Sequence, residues 1–239
     1  LQTAKSDLID RAESVGGFLN VWIKDEKLLE YLENPPKFSD VKLKRVNLEF
    51  VSANPTGPLT MANGRGGFYG DVLANVLSKT GYDVTREYYV NDAGNQIRSL
   101  GLSISTLRLG GTLGEGHYKG KYIDELAKDE RLTRFKDADH LGKAAAEILS
   151  KEIEKSLDSV GIHFDKWFHE DNELRKSGEV EATLKKFKEK ELLKEKDGAI
   201  WFEDRVFIKS TGEPTYLLVD IAYALNKLKR GSDKVIVVL

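Results

Sequence analysis

A strand, a helix and a second strand follow one another between residues 46 and 90, and this order constrains the fold more than any other feature of the chain. Residues 46–51 are a short, mostly apolar run bounded by a turn-rich loop, as expected of a buried strand. Residues 63–79 place apolar side chains on one helical face, and residues 82–90 alternate like a second strand. Such a βαβ unit implies parallel strands and a ligand site beyond the carboxyl end of the first strand. We therefore predict an α/β fold with a Rossmann-like parallel sheet.

The rest of the chain continues this pattern and suggests two parts. Pro35-Pro36 marks a linker, so we predict a small part at residues 1–40 and a domain at 41–239, the latter with a mostly helical insertion at about 100–160. In the first part we expect a short helix, a Gly16-Gly17 turn, a strand at 18–23 and a helix at 26–32. Later helices are predicted at 92–107, 121–160, 178–193 and 215–229, strands at 162–168 and 235–239, and a hairpin at 199–209.

Composition excludes several classes of protein. Cysteine is absent from the 239 residues, which excludes disulfides, thiolate metal sites and cysteine nucleophiles. The four histidines lack metal-ligand spacing, so we predict no protein-bound metal. No window holds about 18 consecutive apolar residues and no signal pattern opens the chain, so we expect no membrane association and a cytoplasmic location. The net charge of −2 gives no global basic field, so nucleic acid would have to bind at local patches.

The loop at residues 52–67 is rich in glycine and leads from the first strand into the helix. Free backbone N–H groups and the helix dipole would attract an anion there. A dinucleotide fingerprint does not match, because it needs a glycine at Tyr69 and Gly70 comes one residue late. A Walker loop is excluded because no Gly-Lys-Ser/Thr occurs. One alternative stays open, in which the glycines only let the helix pack on the sheet.

Four segments resemble, in the same order, the arginyl-tRNA synthetases, a class I family. They are residues 49–59 (EFVSANPTGPL), 81–96 (GYDVTREYYVNDAGNQ), 164–170 (FDKWFHE) and 216–223 (YLLVDIAY). The resemblance extends from about residue 15 to the end of the chain. It implies activation of L-arginine with ATP and transfer of the arginyl group to tRNA(Arg). It also implies that residues 1–40 are the remnant of an N-terminal tRNA-contacting domain.

The nucleotide site implied by the resemblance departs from the family pattern. Class I synthetases carry a His-x-Gly-His motif at the start of this helix, where this chain has Thr60-Met61-Ala62-Asn63. Thr60 and Asn63 can still donate hydrogen bonds, so we assign them the catalytic contacts with ATP. Loss of one preorganised donor typically lowers a rate by about 10²–10³. The implied ATP-binding residues are Pro58, Leu59, Thr60, Ala62, Asn63 and Gly64, and Mg²⁺ is expected to arrive with ATP.

The arginine pocket implied by the resemblance contains Glu170, Tyr216 and Asp220. A guanidinium is planar and permanently charged, so carboxylates placed for bidentate pairing select it, and two facing acids favour a cation between them. The other residues implied are Asn54, at the substrate's α-amino group, and its neighbours Glu49 and Ser52. On the residues alone, Glu170 could be a solvated turn, Asp220 a charge near a helix start and Tyr216 a core residue.

The expected function is that of an arginine–tRNA ligase, acting as a monomer. Because the family's second, lysine-rich ATP motif and its anticodon-binding domain are missing from the chain, we expect the chain alone to be inactive. Two alternatives stay open: a non-catalytic arginine-binding or regulatory module that has lost the ATP site, and an unrelated nucleotide-dependent α/β enzyme. The lysines at 185–196 alternate with glutamates, which favours a solvated helix over a tRNA contact.

Overall fold

Four parallel strands form the main sheet of the computed structural model, which describes residues 6–35 and 44–238. The strand order is β5-β4-β3-β9. The strands are β3 (Arg45–Glu49), β4 (Asp83–Val90), β5 (Lys166–His169) and β9 (Lys234–Val237). The predicted parallel α/β sheet is confirmed.

Helices connect these strands. Helix α2 (Met61–Lys79) links β3 to β4, and α7 (Tyr216–Lys229) precedes β9. The others are α3 (Asn95–Arg108), α4 (Lys121–Lys128), α5 (Ala138–Asp158) and α6 (Glu179–Glu189). The apolar residues of α2, α5 and the sheet share one core that includes Leu48, Phe50, Ala74, Tyr88, Ile153 and Leu157. This core packs α2 and α5 against the strands β3 and β4.

The stretch between β4 and β5 is helical, and two of its helices approach very closely. A Cβ on Gly101 of α3 would lie 1.9 Å from the carbonyl oxygen of Ala138, and a Cβ on Gly142 of α5 would lie 1.9 Å from that of Ile97. Only glycine permits this approach, because any side chain would overlap the facing backbone. A second apolar core lies around this contact, including Leu100, Ile104, Ile123 and Leu149.

A small antiparallel sheet precedes α7. Its strands, β6 (Leu193–Lys196), β7 (Ala199–Phe202) and β8 (Arg205–Ile208), pair in the order β6-β7-β8. The hairpin predicted at 199–209 is confirmed, but the predicted helix 178–193 ends too late. Helix α6 already ends at Glu189, and Glu191 turns the chain towards β6 with a φ of 54°.

The described residues 6–35 form a separate unit from the described residues 44–238. In this unit β1 (Ile9–Val15) and β2 (Phe18–Ile23) form a hairpin, followed by α1 (Asp25–Glu33). The helix predicted before Gly16 is wrong for residues 9–15; residues 1–5 lie outside the described ranges. Gly16 and Gly17 have φ values of 58° and 86°, as a two-residue hairpin turn requires, and that turn pairs β1 with β2.

The helices of the described ranges include none with the length and apolar character needed to cross a membrane.

Candidate functional site

The chain turns sharply as it leaves β3. Val51 and Ser52 have φ values of 65° and 40°, a left-handed conformation that is uncommon for residues other than glycine. The predicted strand 46–51 therefore ends early, at Glu49. The turn is held by β4: the Tyr89 backbone N–H donates to Ser52 Oγ at 3.0 Å, and the Tyr88 hydroxyl donates to the carbonyl of Ala53 at 2.8 Å. Strained backbone of this kind clusters at functional sites, because the surrounding structure must enforce it.

At the start of α2, the side chains of Thr60 and Asn63 form a reciprocal cap. The Thr60 backbone N–H and hydroxyl donate to Asn63 Oδ1 at 2.9 and 2.7 Å, and the Asn63 N–H donates to Thr60 Oγ1 at 3.4 Å. This is a capping box with asparagine in the place usually taken by Glu or Gln. The Thr60 hydroxyl proton is thereby used within the helix. Asn63 keeps its amide N–H₂ group for other partners.

A cleft of about 470 Å³ lies beside this helix start, at the carboxyl ends of β3 and β9. Its lining residues are Val51, Ala62, Asn63, Arg65, Gly66, Tyr69 and Val238. Ala62 and Asn63 are thus the two predicted ATP residues in its wall; Pro58, Leu59, Thr60 and Gly64 lie next to it in sequence. Arg65 adds a cation that sequence reasoning did not assign. Backbone N–H groups of the helix start, Asn63 and Arg65 together suit an anion.

A second cleft, of about 290 Å³, contains Glu170 and Tyr216 in its wall. Glu170 is only 2% exposed, so it is not a solvated turn residue. Its Oε2 accepts a hydrogen bond from the Tyr89 hydroxyl at 2.7 Å, and its Oε1 accepts one from Arg175 Nε at 2.6 Å. Burial and the neighbouring carboxylates of Glu170 and Asp220 raise the pKa of Tyr89, which therefore stays a hydroxyl donor.

Helix α7 presents a polar stripe to the sheet, with side chains spaced alternately four and three residues apart. The stripe consists of Tyr216, Asp220, Tyr223, Lys227 and, just after the helix, Arg230. Lys227 Nζ lies 2.5 Å from Glu49 Oε2, and both residues are buried. The Tyr223 hydroxyl and both terminal nitrogens of Arg230 bind Glu87, at 2.6 to 2.8 Å. Acidic residues of β3 and β4 thus orient the C-terminal part of this stripe, Tyr223 to Arg230.

Asp220 is solvent-exposed overall, but its carboxyl group is partly desolvated and lies within the electrostatic reach of two other carboxylates. Burial first, then the charges of Glu170 and Glu49, raise the pKa of Asp220 above its ordinary value of 3.8. Lys227 neutralises Glu49, and Arg175 neutralises Glu170. Within residues 6–35 and 44–238, no ion pair includes Asp220. The site therefore carries one uncompensated carboxylate beside a cleft, an arrangement that attracts a cation.

The sequence is similar to known proteins over nearly its whole length. It is 42% identical over 260 residues to the arginine–tRNA ligase of Carboxydothermus hydrogenoformans, covering 96% of this chain and 46% of that protein. The chain is homologous to about half of an arginine–tRNA ligase. The Bacillus subtilis arginine–tRNA ligase is 38% identical over 258 residues, with 95% of this chain and 46% of the relative covered. The chain thus spans about half the length of the curated relatives it matches. No protein-family model matches it.

Solved structures of arginyl-tRNA synthetases are also similar to this chain. A putative arginyl-tRNA synthetase from Campylobacter jejuni matches with a TM-score of 0.77 and 34% identity, covering 89% of this chain and 51% of that one. The arginyl-tRNA synthetase of Thermus thermophilus matches with a TM-score of 0.62 at 22% identity, over 92% of this chain and 42% of that one, which supports the fold alone. The resemblance to arginyl-tRNA synthetases predicted from four sequence segments is confirmed.

The residues that this arginine–tRNA ligase resemblance predicts for the amino-acid pocket are only partly brought together. Glu170 and Tyr216 share one cleft, and Asp220 lies one helical turn beyond Tyr216. Tyr216 is 74% exposed, so it is not a core residue. Glu49 and Ser52 lie at the end of β3, where Glu49 is bound to Lys227 and Ser52 to β4. Asn54 is exposed in the loop and is not among the described lining residues of either cleft.

Sequence reasoning missed several residues of this candidate site. Arg175 and Tyr89 bind the two oxygens of Glu170, and Lys227 binds Glu49. One signal was present in the sequence: Tyr216, Asp220, Tyr223 and Lys227 repeat at the spacing of one helical face. That signal indicates the stripe on α7 but not the partners on the sheet, which come from far away in the chain.

Proposed function

We propose that this chain forms the arginine- and ATP-binding part of an arginine–tRNA ligase. The observation that carries the proposal is the group of three carboxylates, Glu49, Glu170 and Asp220, of which Asp220 has no cationic partner among the described residues. The reaction would be attack of the arginine carboxylate on the α-phosphorus of ATP. This step forms arginyl-adenylate and releases pyrophosphate, and the arginyl group then passes to the 3′ end of tRNA(Arg).

Electrostatics supports arginine as the ligand of the second cleft. A guanidinium between Asp220 and Glu170 would relieve the repulsion between these carboxylates. Tyr216, at the mouth of the cleft, can contact the planar group with its ring. Positioning and charge stabilisation carry catalysis of this type, because no side chain needs to act as a covalent nucleophile.

The first cleft is proposed for ATP, with Mg²⁺ bound to its phosphates as part of the substrate. Asn63 and Arg65 would donate to phosphate oxygens, assisted by the free N–H groups at the start of α2. The Thr60 hydroxyl is engaged with Asn63, so we assign Thr60 the role of orienting Asn63. Any Mg²⁺ in this proposal is bound by the phosphates of ATP.

ATP–pyrophosphate exchange in the presence of tRNA tests the enzymatic part of the proposal. We expect little or no exchange from the 239-residue chain, because it covers about 46% of its relatives. The full-length protein should exchange, and its Asp220→Asn variant should require far more arginine to do so. Robust exchange by the 239-residue chain would show that the rest of the ligase is not needed for activation.

A non-catalytic arginine-binding module is the second candidate. The observation in its favour is the Thr60–Asn63 capping box, which uses groups that an ATP site would need. Calorimetric titration separates the two functions: binding of both L-arginine and ATP supports the ligase, whereas binding of arginine alone supports the module.

We further propose that residues 1–40 derive from an N-terminal tRNA-contacting domain and that the helices at about 100–160 are an insertion in the nucleotide-binding fold. A cytoplasmic location is proposed because ATP and tRNA are available there, and the protein is proposed to be a monomer. Sedimentation of the full-length protein with and without tRNA(Arg) would test both the oligomeric state and the tRNA contact.

A further inference from the structure

We propose that Arg175 is an internal substitute for the ligand: its guanidinium binds Glu170 in the free protein and leaves Glu170 when free arginine enters the cleft. This inference rests on the proposed function of that cleft. Arg175 would then set the affinity of the site, because every bound arginine must first displace it.

The local backbone explains how Arg175 reaches Glu170. Residues Asp171–Arg175 form a π-helical turn, in which the Lys176 N–H bonds to the Asp171 carbonyl five residues back. Residues five apart face the same way in such a turn, whereas in an α-helix they diverge. The turn thus brings Arg175 Nε to 2.6 Å from Glu170 Oε1. Single π-helical turns of this kind occur frequently at functional sites.

The ion pair between Arg175 and Glu170 can be replaced by a pair between Glu170 and a ligand. Within the described ranges Arg175 donates to Glu170 through one nitrogen, Nε. Arg230, in contrast, donates to Glu87 through both of its terminal nitrogens. A bidentate pair is stronger and geometrically more restrictive than a single hydrogen bond. The Arg175 side chain is 32% exposed and lines the cleft, so it can move into solvent without unfolding its surroundings.

The charges around the cleft favour the exchange. Glu170 is buried, and its carboxylate would destabilise the folded protein if no cation were paired with it. Arg175 therefore stabilises the empty site. An incoming guanidinium can pair with Glu170 and with the uncompensated Asp220 at once, which Arg175 does not do in this structure. The ligand therefore gains one more charge pair than the internal group that it replaces.

Titration calorimetry with L-arginine on the 239-residue chain tests the proposal. Arg175→Gln removes the competing charge, so its Kd should fall about tenfold, the factor that corresponds to one charge-assisted hydrogen bond. Arg175→Lys keeps a competing cation, so its Kd should stay within about threefold of the wild type. Weaker arginine binding by Arg175→Gln would show that Arg175 supports the ligand instead of competing with it. If neither protein binds arginine, the proposed function itself fails; if both bind equally, only this inference fails.

A measurement on the unaltered protein covers the case in which Arg175→Gln does not fold. In protein labelled with ¹⁵N-arginine, the Arg175 Nε–H signal should be protected from solvent exchange by the bond to Glu170. Saturation with unlabelled L-arginine should remove that protection while the signals of Arg230 stay unchanged. Persistence of a protected Arg175 signal in the saturated complex would overturn the proposal.

Discussion

Lys227 and Glu49 form an ion pair inside the protein, with Lys227 Nζ 2.5 Å from Glu49 Oε2 and the lysine 1% exposed. The lysine amine also lies 4.1 Å from the centre of the Tyr223 ring. This pair fixes α7 to the end of β3. Because Asp220 lies two turns earlier on the same helical face, its position beside Glu170 depends on the same contact.

Replacement of Lys227 by Met should therefore lower the free energy of unfolding substantially. The change leaves Glu49 buried without its cation, and breaking a buried pair in this way typically costs about 3–5 kcal/mol. Urea denaturation would measure the loss. The matched control is Lys121→Met, which breaks an exposed pair with Glu125 and should cost less than about 1 kcal/mol. Equal losses in the two variants would mean that the Lys227 pair is not desolvated in solution.

Gly142→Ala should disrupt the packing of α3 on α5. The added methyl group would lie 1.9 Å from the Ile97 carbonyl oxygen, so the helices must separate. Overpacking of this kind typically costs about 1–3 kcal/mol, and here the obstacle is backbone, which cannot change rotamer. Thermal unfolding followed by circular dichroism would show a lowered melting temperature.

The control for this prediction is Gly66→Ala, within helix α2. A Cβ at Gly66 has no neighbour within 4 Å, so the alanine should stabilise α2 by up to about 1 kcal/mol through its higher helix propensity. If Gly142→Ala proved as stable as Gly66→Ala, the close approach of α3 and α5 would be contradicted.

Local patterns predicted the main sheet well. The apolar strand at 46–51, the amphipathic helix at 63–79 and the alternating strand at 82–90 all form, because burial on a parallel sheet selects those patterns. Their order also placed the candidate site at the carboxyl end of β3. Periodicity gave the wrong prediction for residues 9–15, which was a helix. These residues form a strand, because a two-glycine turn pairs them with β2.

The partners within the site could not be predicted from the sequence. The bond between Arg175 and Glu170 depends on a π-helical turn, which has no recognisable sequence signal. The pairing of Lys227 with Glu49 joins residues 178 positions apart. The interaction of Thr60 with Asn63 is local, but the usual capping-box pattern has Glu or Gln at the position of Asn63, so the sequence does not signal it.

His169 should make stability depend on pH near neutrality. The hydrogen bond from its Nδ1 to Asp92, 2.8 Å long, raises the pKa of His169 above its ordinary value of 6.5, although burial acts against this. The stabilisation is fully present below about pH 6.5 and is lost as pH rises through the pKa in the folded protein. His169→Gln should therefore be less stable than the wild type in mild acid, with the difference shrinking at higher pH.

Melting temperatures of wild type and His169→Gln across this pH range would test the prediction, and proton NMR would give the pKa of His169 directly. His163→Gln serves as the control, because the His163 side chain is 70% exposed and its contact with Asp158 is screened by solvent. A His169 pKa below the ordinary value would contradict the role of Asp92.

Ionised Asp220 should destabilise the folded protein at neutral pH. Its pKa is raised by burial and by Glu170 and Glu49, so the folded state holds its proton more tightly than the unfolded chain. The stability that this proton contributes is complete below about pH 3.8 and is lost as pH rises through the raised pKa. Asp220→Asn, which cannot ionise, should therefore melt at a higher temperature than the wild type at about pH 7, and the gap should narrow in acid.

The same substitution separates stability from binding. If Asp220 is kept at the cost of stability because it binds a cation, L-arginine should raise the melting temperature of the wild type but not that of Asp220→Asn. The matched control is Asp139→Asn, because the Asp139 side chain is 57% exposed and pairs with Arg98 on the surface. That variant should respond to arginine as the wild type does. A stabilised Asp220→Asn that still responds fully to arginine would confirm the carboxylate repulsion but remove Asp220 from the ligand site.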